Sequence, residues 1–507
     1  MERIINLARR PSAVFALCAA VVAAMPAANF KTLFTLPNAD GRYPAGALVQ
    51  ATNGDLYGTA EVGGSGQGGG ANCQAACGTV FKITPGGKLT PLYSFCTQPN
   101  CTDGAYPVAG LAQATNGDLY GTTEMGGAND DGTVFKITLG GKLTPVYSFC
   151  TQPNCTDGAG PSGALIQAAD GSLYGTTEYG GANVNGYCGS PGGCGTIFKI
   201  TSSGTLTTVY SFCAQSGCAD GAVPMAALVQ GTDGDFYGTT SGGGAYGEGT
   251  VFKMTAHGAL TTLHSFCAGG IPCTDGADPT AGLIQATDGN FYGTTYAGGP
   301  GVCVINGSTC GTVFRISATG ALTTLYNFCS ENGCVDGSYP YAGLVQATDG
   351  NLYGATYSGG KDAVGTTGGT LFKITTAGAL TTLHSFCTQR GCPSAGPVAG
   401  LVQDTNGALY GTTANSGYAT VFRLSVGLGT FVETLPTSGK VGTTVRILGT
   451  NLVGATSVKF NGTPAKYTVA SASEIIATVP NGATTGKVEA VISSGTLSSN
   501  VPFRVLP

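Results

Sequence analysis

Cysteine is the residue type whose spacing most clearly suggests chemistry in this sequence. Nineteen cysteines occur in 507 residues, and all but Cys18 fall into close sequence pairs. Six pairs occupy one position of a repeated segment and three occupy a second loop: Cys96 and Cys101, Cys150 and Cys155, Cys213 and Cys218, Cys267 and Cys273, Cys329 and Cys334, Cys387 and Cys392, then Cys73 and Cys77, Cys188 and Cys194, Cys303 and Cys310. Close pairs in even number predict local disulfides in an exported chain.

Two metal interpretations compete with the disulfides. Zinc is disfavoured because the chain has no Cys-x2-Cys and only three histidines, His257, His264 and His384. Calcium would need carboxylates, and an aspartate precedes glycine in five of the cysteine loops: Asp103, Asp157, Asp220, Asp275 and Asp336. Asp-Gly is also a common turn pair. We therefore predict turns at these aspartates, with no bound metal and no cofactor.

A further position of the repeat changes its residue type in blocks. After a Tyr-Gly-Thr-like strand, successive copies carry Glu61, Glu124, Glu178, Ser241, Tyr296, Tyr357 and Ala414. Variable loop residues on a regular scaffold are typical of binding sites. We predict a ligand site at the three glutamates and two tyrosines, where the negative field would favour a cationic or hydroxyl-rich partner. Drift among exposed loop residues is the competing interpretation.

Motifs of familiar enzymes and of nucleic-acid binding are missing. The sequence has no Gly-x-Ser-x-Gly, His-Glu-x-x-His, P-loop or dinucleotide motif. It also has no tryptophan, and its net charge of −5 argues against nucleic acid. We predict no catalytic residue, although paired glutamates could perform acid–base chemistry.

Seven copies of one phrase supply the elements that must position these residues. The phrase reads Leu48-Val-Gln-Ala-Thr-Asn-Gly-Asp-Leu-Tyr-Gly-Thr-Ala60 and returns from Leu111, Leu165, Leu228, Leu283, Leu344 and Leu401, at intervals of 54 to 63 residues. A period of this length indicates a repeat architecture. Short strands repeated seven times predict a closed ring.

Each repeat predicts four antiparallel strands. In the copy from 321 to 375, strands are expected at 322–328, 344–348, 352–356 and 370–375, with a two-residue type I′ turn at Asp349-Gly350. The strand Phe30–Leu36 precedes the first phrase and should complete the last sheet, with Thr430–Thr434 as the rival. A basic residue at one position of all seven copies should link neighbouring units: Lys82, Lys136, Lys199, Lys253, Arg315, Lys373 and Arg423.

The chain ends predict export and a change of domain. Residues 1–28 combine basic residues with a short apolar run, as in a secretory signal peptide, and no other segment is apolar enough to cross a membrane. From about Thr430 the period breaks into short strands. Gly449-Thr-Asn-Leu452, Val458-Lys-Phe-Asn-Gly462 and Val479-Pro-Asn-Gly-Ala-Thr-Thr-Gly486 resemble the IPT/TIG domain, which implies an immunoglobulin-like fold.

The seven units themselves resemble the GloVer tandem repeat of secreted bacterial proteins. The resemblance is carried by Asp349-Gly-Asn-Leu-Tyr-Gly354, by Gly369-Thr-Leu-Phe-Lys-Ile-Thr375 and by their counterparts, over about 400 residues. It implies an extracellular or envelope protein and supplies no activity.

The fold class expected from these observations is all-β. A seven-bladed β-propeller over 29–429 is followed by a small immunoglobulin-like β-sandwich over 430–507. We expect a secreted or cell-surface monomer that binds an extracellular glycan or protein without catalysis. A hydrolase or lyase acting on extracellular polymers, with its site in the propeller funnel, is the alternative, and a purely structural surface component is the second alternative.

Overall fold

The architecture is all-β in a computed structural model of the chain. The structure describes residues 28–37, 41–65, 76–183, 188, 192–301, 309–361, 368–386, 396–414 and 419–507. The predicted signal peptide, except for Ala28, lies outside these residues. Within the described ranges the only helices are one-turn 3-10 segments in four cysteine loops: Pro99–Cys101, Pro153–Cys155, Ser216–Cys218 and Asn332–Cys334. No helix in the described parts is long and apolar enough to cross a membrane.

Seven four-stranded antiparallel sheets follow one another along the chain. We number them 1 to 7. The N-terminal strand is β1 (Asn29–Leu36). Sheet 1 contains β2 (Val49–Gln50), β3 (Leu56–Ala60), β4 (Thr79–Ile83) and β5 (Leu89–Ser94); sheet 2 contains β6 (Ala112–Gln113), β7 (Leu119–Thr123), β8 (Thr133–Ile137) and β9 (Leu143–Ser148). Sheet 3 contains β10 (Ile166–Gln167), β11 (Leu173–Thr177), β12 (Thr196–Ile200) and β13 (Leu206–Ser211).

The remaining sheets repeat this order. Sheet 4 contains β14 (Val229–Gln230), β15 (Phe236–Thr240), β16 (Thr250–Met254) and β17 (Leu260–Ser265); sheet 5 contains β18 (Ile284–Gln285), β19 (Phe291–Thr295), β20 (Thr312–Ile316) and β21 (Leu322–Asn327). Sheet 6 contains β22 (Val345–Gln346), β23 (Leu352–Thr356), β24 (Thr370–Ile374) and β25 (Leu380–Ser385). Sheet 7 contains β26 (Val402–Gln403), β27 (Leu409–Thr413), β28 (Ala419–Ser425) and β1.

The second strand of each sheet lies at the centre of the core. In sheet 2, β7 is buried along its whole length and contains Gly121. A Cβ on Gly121 would lie 2.6 Å from the ring of Phe135 in β8, so glycine is needed where this ring crosses the strand. The same ring contacts Phe95, which follows sheet 1, with centroids 5.1 Å apart. Core packing therefore joins neighbouring sheets.

The turn after the first strand differs from the prediction. In sheet 6 the first strand is only Val345–Gln346, and residues 348–350 form a three-residue loop. The Gly350 N–H donates to the Ala347 carbonyl at 2.9 Å. Gly350 has a φ of +79°, whereas Asp349 is not among the residues with positive φ. A type I′ turn needs both, so the loop is a type I turn followed by a left-handed glycine.

The N-terminal strand completes sheet 7, which confirms the predicted closure. Strand β1 pairs antiparallel with β28, from Asn29 opposite Ser425 to Leu36 opposite Ala419. The rival segment, Thr430–Thr434, instead overlaps a strand that begins at Glu433 and belongs to another sheet. Sheet 7 is thus built from both ends of the repeat region, and β1 covers the edge that β28 would otherwise expose.

A cyclic series of hydrogen bonds joins the first strands of all seven sheets. A glutamine Oε1 of each sheet accepts from a backbone N–H of the preceding sheet at 2.8–3.0 Å. The donor and acceptor pairs are Thr52–Gln113, Thr115–Gln167, Ala169–Gln230, Thr232–Gln285, Thr287–Gln346, Thr348–Gln403 and Thr405–Gln50. The last pair links sheet 7 to sheet 1, so the sheets form a closed, propeller-like ring.

The repeated basic residues do not make the predicted contacts between units where their ion pairs are described. Lys82, Lys199 and Lys253 pair with aspartates in the first turn of their own sheets, Asp55, Asp170 and Asp233, at 3.3, 2.8 and 2.9 Å. The register explains this difference, because Lys253 lies opposite Tyr237 on the strand that leaves that turn. Such partly exposed pairs contribute little to stability.

The cysteine loops confirm six of the nine predicted disulfides: Cys96–Cys101, Cys150–Cys155, Cys188–Cys194, Cys213–Cys218, Cys267–Cys273 and Cys329–Cys334. Cys77 and Cys310 are also disulfide-bonded, but their predicted partners, Cys73 and Cys303, lie outside the described residues.

The ninth predicted pair falls in the loop that follows sheet 6. Its two members, Cys387 and Cys392, both lie outside the described residues, which end at Phe386 and resume at Gly396. The disulfide between Cys387 and Cys392 is therefore not among those that the structure confirms. It stays a prediction.

The aspartates of the cysteine loops serve as hydrogen-bond acceptors. Asp103 is fully buried, and its Oδ2 accepts from the Tyr93 hydroxyl at 2.7 Å and from the Thr97 N–H at 3.1 Å. Asp157 and Asp220 repeat this arrangement with Tyr147 and Tyr210. These carboxylates hold each loop against the last strand of its sheet.

Residues 430–507, the C-terminal module, form a separate set of sheets. Its strands are β29 (Glu433–Leu435), β30 (Ser438–Lys440), β31 (Thr444–Leu448), β32 (Ser457–Phe460), β33 (Thr463–Pro464), β34 (Tyr467–Val469), β35 (Glu474–Thr478), β36 (Val488–Ile492), β37 (Gly495–Ser498) and β38 (Arg504–Leu506). Two four-stranded sheets, β29-β31-β35-β34 and β33-β32-β36-β37, enclose a core that includes Ile447, Phe460 and Phe503, and β30 pairs parallel with β38.

Candidate functional site

The ring has two different faces. Successive strands of a sheet are antiparallel, so the turns after the first and third strands lie on one side, the turn face. The connections between the second and third strands and the cysteine loops lie on the other side, the long-loop face.

The C-terminal module covers the inner part of the turn face. Ser473 Oγ donates to the Thr52 carbonyl of sheet 1 at 2.8 Å. Arg504 Nη1 donates to the Thr232 carbonyl of sheet 4 at 2.7 Å, and Asn500 Nδ2 donates to a carbonyl of sheet 6 at 2.8 Å. The long-loop face has no comparable cover among the described residues.

All five predicted site residues occupy equivalent positions on the long-loop face. Each directly follows the second strand of its sheet, and its N–H donates to a carbonyl of the loop that leads into the first strand of that sheet. Glu61 donates to Tyr43 at 3.0 Å, and Glu124 to Tyr106 at 3.0 Å. Each of sheets 1 to 6 therefore places two neighbouring residues on the long-loop face: the one that follows the second strand, and the loop residue whose carbonyl accepts its N–H. The second position is held by Tyr43, Tyr106, Gly160, Val223, Asp278 and Tyr339 in sheets 1 to 6.

The three glutamates belong to one acidic sector. Burial raises the pKa of Glu61, Glu124 and Glu178. The pKa of Glu124 is raised further by the negative charges of Glu178 and Glu61. Because charges interact strongly only over short distances in salt solution, these carboxylates share one local field. Glu178 is also hydrogen-bonded to Tyr179, which lowers the pKa of this glutamate in part.

The aromatic sector lies on sheets 5 and 6. Tyr296 stacks on Tyr339 with ring centroids 4.9 Å apart, and it meets Tyr341 edge-on at 6.0 Å. Tyr357 and Tyr341 are 40% and 38% exposed, so aromatic surface is available to a ligand.

Tyr341 connects the acidic and aromatic sectors. Burial raises the pKa of its hydroxyl, and the charges of Glu178, Glu61 and Glu124 raise it further. The same tyrosine contacts Tyr296. The structure therefore brings the predicted residues of sheets 1 to 3 and of sheet 5 into one neighbourhood. Their role in binding stays a prediction.

Sequence reasoning missed the second position of each sheet. Tyr43, Tyr106, Val223, Asp278 and Tyr339 all have φ between +51° and +58°, a conformation that is unusual for bulky and β-branched residues. Glycine satisfies this backbone in sheet 3, where Gly160 has a φ of +60°. In the other five sheets a residue with a side chain adopts this unfavourable backbone conformation. Strained backbone of this kind is common at functional sites. A proline follows this second position in all six sheets. The repeated proline was the sequence signal that could have identified the position.

Sheets 4 and 7 interrupt the pattern. Ser241 Oγ donates to the Val223 carbonyl at 3.1 Å, and Ala414 is buried. Neither adds a charge or an aromatic ring. At the position that follows the second strand, carboxylates therefore occupy sheets 1 to 3 and phenol rings occupy sheets 5 and 6.

Metal-type ligands come together elsewhere. Within the described ranges such groups consist of cysteines in the long loops, for example Cys188, Cys194 and Cys213, or of Asp131 beside a cysteine pair. The grouped cysteines are disulfide-bonded. The acidic sector can accept hydrogen bonds from hydroxyl groups or attract a cation, and the tyrosines can donate hydrogen bonds and pack against apolar faces.

The model of the Gloeobacter/Verrucomicrobia repeat matches residues 19–188, 68–303, 187–425 and 273–475. The chain belongs to this family. The overlapping matches cover the whole ring of this Gloeobacter/Verrucomicrobia repeat protein. No curated protein matches it.

Solved structures resemble this repeat protein only distantly. The extracellular domain of a protein assigned as a hybrid two-component system of B. thetaiotaomicron is 11% identical with a TM-score of 0.45; the match covers 95% of this chain and 60% of that chain. The chain therefore spans less than two thirds of that protein. Hydrazine synthase of Kuenenia stuttgartiensis is 15% identical with a TM-score of 0.46, over 77% of this chain and 97% of that chain. Similarity at this level carries no functional argument.

Proposed function

We propose that this protein is a non-catalytic recognition protein of the cell exterior. It consists of a seven-bladed β-propeller with a C-terminal immunoglobulin-like IPT/TIG domain, and it binds an extracellular glycan or protein through the long-loop face. The observation that carries the proposal is the convergence of Glu61, Glu124, Glu178 and Tyr296 around Tyr341.

The acidic and aromatic sectors suit a ligand rich in hydroxyl groups. Carboxylates accept hydrogen bonds from hydroxyls, and tyrosine rings offer flat apolar surface with a polar tip. The predicted residues lie on loops supported by rigid sheets, which is the usual arrangement of a binding surface. The covered turn face supports the same choice, because the C-terminal module occupies its inner rim.

Export and a monomeric state complete the proposal. Six described disulfides suit an oxidising compartment outside the cytoplasm. The cyclic closure pairs the two ends of the repeat region with each other, so no second copy is needed to pair them.

A glycan array probed with the full-length protein tests the function. For a glycan that binds, Glu124→Gln or Tyr296→Ala should weaken the affinity at least tenfold, because each removes a contact of one sector. Asp349→Asn on the turn face is the matched control and should leave the affinity unchanged. If Asp349→Asn loses binding while both site variants keep it, the ligand binds the turn face and the proposed face is wrong. Failure to bind any glycan or extracellular protein would favour a purely structural role.

An extracellular hydrolase or lyase is the second candidate. The observation that favours it is the pKa of Glu124, which burial and two neighbouring glutamates raise, because a raised pKa is typical of carboxyl groups that act as general acids. Incubation with polysaccharides that bind, followed by detection of new reducing ends, separates the candidates. Turnover that disappears in Glu124→Gln would establish catalysis.

A further inference from the structure

A cavity of about 450 Å³ lies between the first strands of sheets 3 to 7 and the C-terminal module. Its walls are mostly apolar and include Leu228, Ile284, Val345, Phe431 and Val501. The volume is in the range of small-molecule sites. None of the glutamates or tyrosines of the long-loop site lines it, so it is a separate space.

Most strongly polar groups in the wall are already bonded to protein. Gln230 Nε2 donates to the Gly234 carbonyl at 2.9 Å, while its Oε1 accepts from Ala169. Arg504, the only cation among the described residues of the wall, donates to the carbonyls of Gly231 and Thr232 at 3.2 and 2.7 Å. Glu433 is the other charged residue there, and it makes no side-chain hydrogen bond or ion pair within the described ranges.

Glu433 is accessible to water and yet enclosed by protein. Its side chain is exposed by surface area, while burial dominates its titration and raises its pKa to about 7. Glu433 lines the cavity, where the surrounding protein reduces the solvation of its carboxyl group. The negative charge of Asp404 raises the pKa of Glu433 further. The positive charge of Arg423 lowers the pKa of Asp404 in part.

We propose that this cavity binds a small organic cation with an apolar body, its ammonium group placed beside Glu433. An unpaired carboxylate away from bulk water attracts a cation more strongly than one at the surface does. Apolar walls accept the hydrocarbon part of such a ligand. They disfavour a sugar, whose hydroxyl groups would lose hydrogen bonds with water. The proposal is independent of the ligand of the long-loop face.

Calorimetric titration of the full-length protein with three probes of one shape tests the proposal: hexylammonium, 1-hexanol and hexanoate at pH 8. Hexylammonium should bind at least tenfold more tightly than the alcohol and the acid. Glu433→Gln should abolish this preference, whereas Glu124→Gln on the long-loop face should retain it.

A second variant tests the cavity without changing the charge of Glu433. Val501→Trp leaves the carboxylate in place but fills part of the cavity, and it should weaken hexylammonium binding at least tenfold with an unchanged melting temperature. Absence of hexylammonium binding, equal binding of 1-hexanol, or unchanged binding in both cavity variants would overturn the proposal.

Discussion

Among single residues, burial acts strongly on two carboxyl groups where sheet 7 meets the C-terminal module. Burial raises the pKa of Asp404 to about 6 and that of Glu433 to about 7. In an unfolded chain the pKa of such a carboxyl group is about 4. The folded protein therefore binds more protons between these values, and its stability falls as the pH rises through this window.

Glu433→Gln isolates this effect. The variant has no charge to bury, so it should gain stability relative to the natural protein, and the gain at pH 8 should exceed the gain at pH 5. Thermal melting at both pH values measures the difference. Glu331→Gln, at an exposed position of a cysteine loop, is the control and should show no such dependence. An equal shift at both pH values would mean that Glu433 is ionised in the folded protein throughout.

The cysteines allow a direct chemical test of local pairing. Peptide mass mapping without reduction should recover all 18 cysteines of the mature chain as nine local pairs, with no free thiol and no link between sheets. The pair of Cys387 and Cys392 is decided by the same measurement. Replacing both Cys150 and Cys155 by serine should cost about 2 kcal/mol, because a short closed loop constrains the unfolded chain modestly. Stoichiometric bound zinc in the purified protein would contradict the disulfides.

The closing strand β1 is the element on which the ring depends. Its last residue, Leu36, is fully buried and packs with Leu56 and Phe81 of sheet 1, while Phe30 near its start stacks on His384 at 3.9 Å. This strand therefore joins sheet 7 to both neighbours. It also restores pairing that would otherwise leave β28 with an open edge.

Leu36→Ala should lower the free energy of unfolding by about 2–5 kcal/mol, the usual cost of removing a buried leucine side chain. Denaturant unfolding measures this loss. Thr35→Ala, one residue earlier and exposed, is the matched control and should change stability little. Deleting residues 29–37 should remove most of the cooperative unfolding. A deletion variant that melts like the intact protein would show that β1 is dispensable for closure.

The sequence predicted the repeated elements well and the contacts between them less well. Alternating apolar residues and the Gly-containing turns indicate four strands per unit, and the orphan strand Phe30–Leu36 indicates the closure that β1 provides. The partners of Lys253 could not be predicted, because the turn that carries Asp233 is one residue longer than assumed and register sets the contact. The acidic and aromatic position was visible as a break in periodicity. Its neighbour Tyr339 was missed although a proline follows it in the sequence, because its left-handed backbone is visible only in the folded loop.

The whole molecule combines a ring with a cover on one side. The C-terminal module reaches backbone carbonyls on several sheets through Ser473, Asn500 and Arg504. Most of the acceptors on the ring are backbone groups, and one side-chain contact adds to them, because the hydroxyl groups of Thr405 and Thr450 lie 3.0 Å apart. The module forms one wall of the cavity at Glu433, and it leaves the long-loop face as the surface for which we propose ligand binding.

Arg504→Ala combined with Asn500→Ala should loosen this cover. A hydrogen bond from a charged group contributes about 1.5–3 kcal/mol, and Arg504 makes two, so the detached population should rise more than tenfold. Hydrogen exchange should accelerate in residues 431–438, which line the cavity, while the second strands of the seven sheets stay protected. Lys487→Ala removes an exposed cation of the same module and should leave exchange unchanged. Unaltered exchange in the double variant would show that apolar contacts such as those of Phe431, rather than these hydrogen bonds, hold the module on the ring.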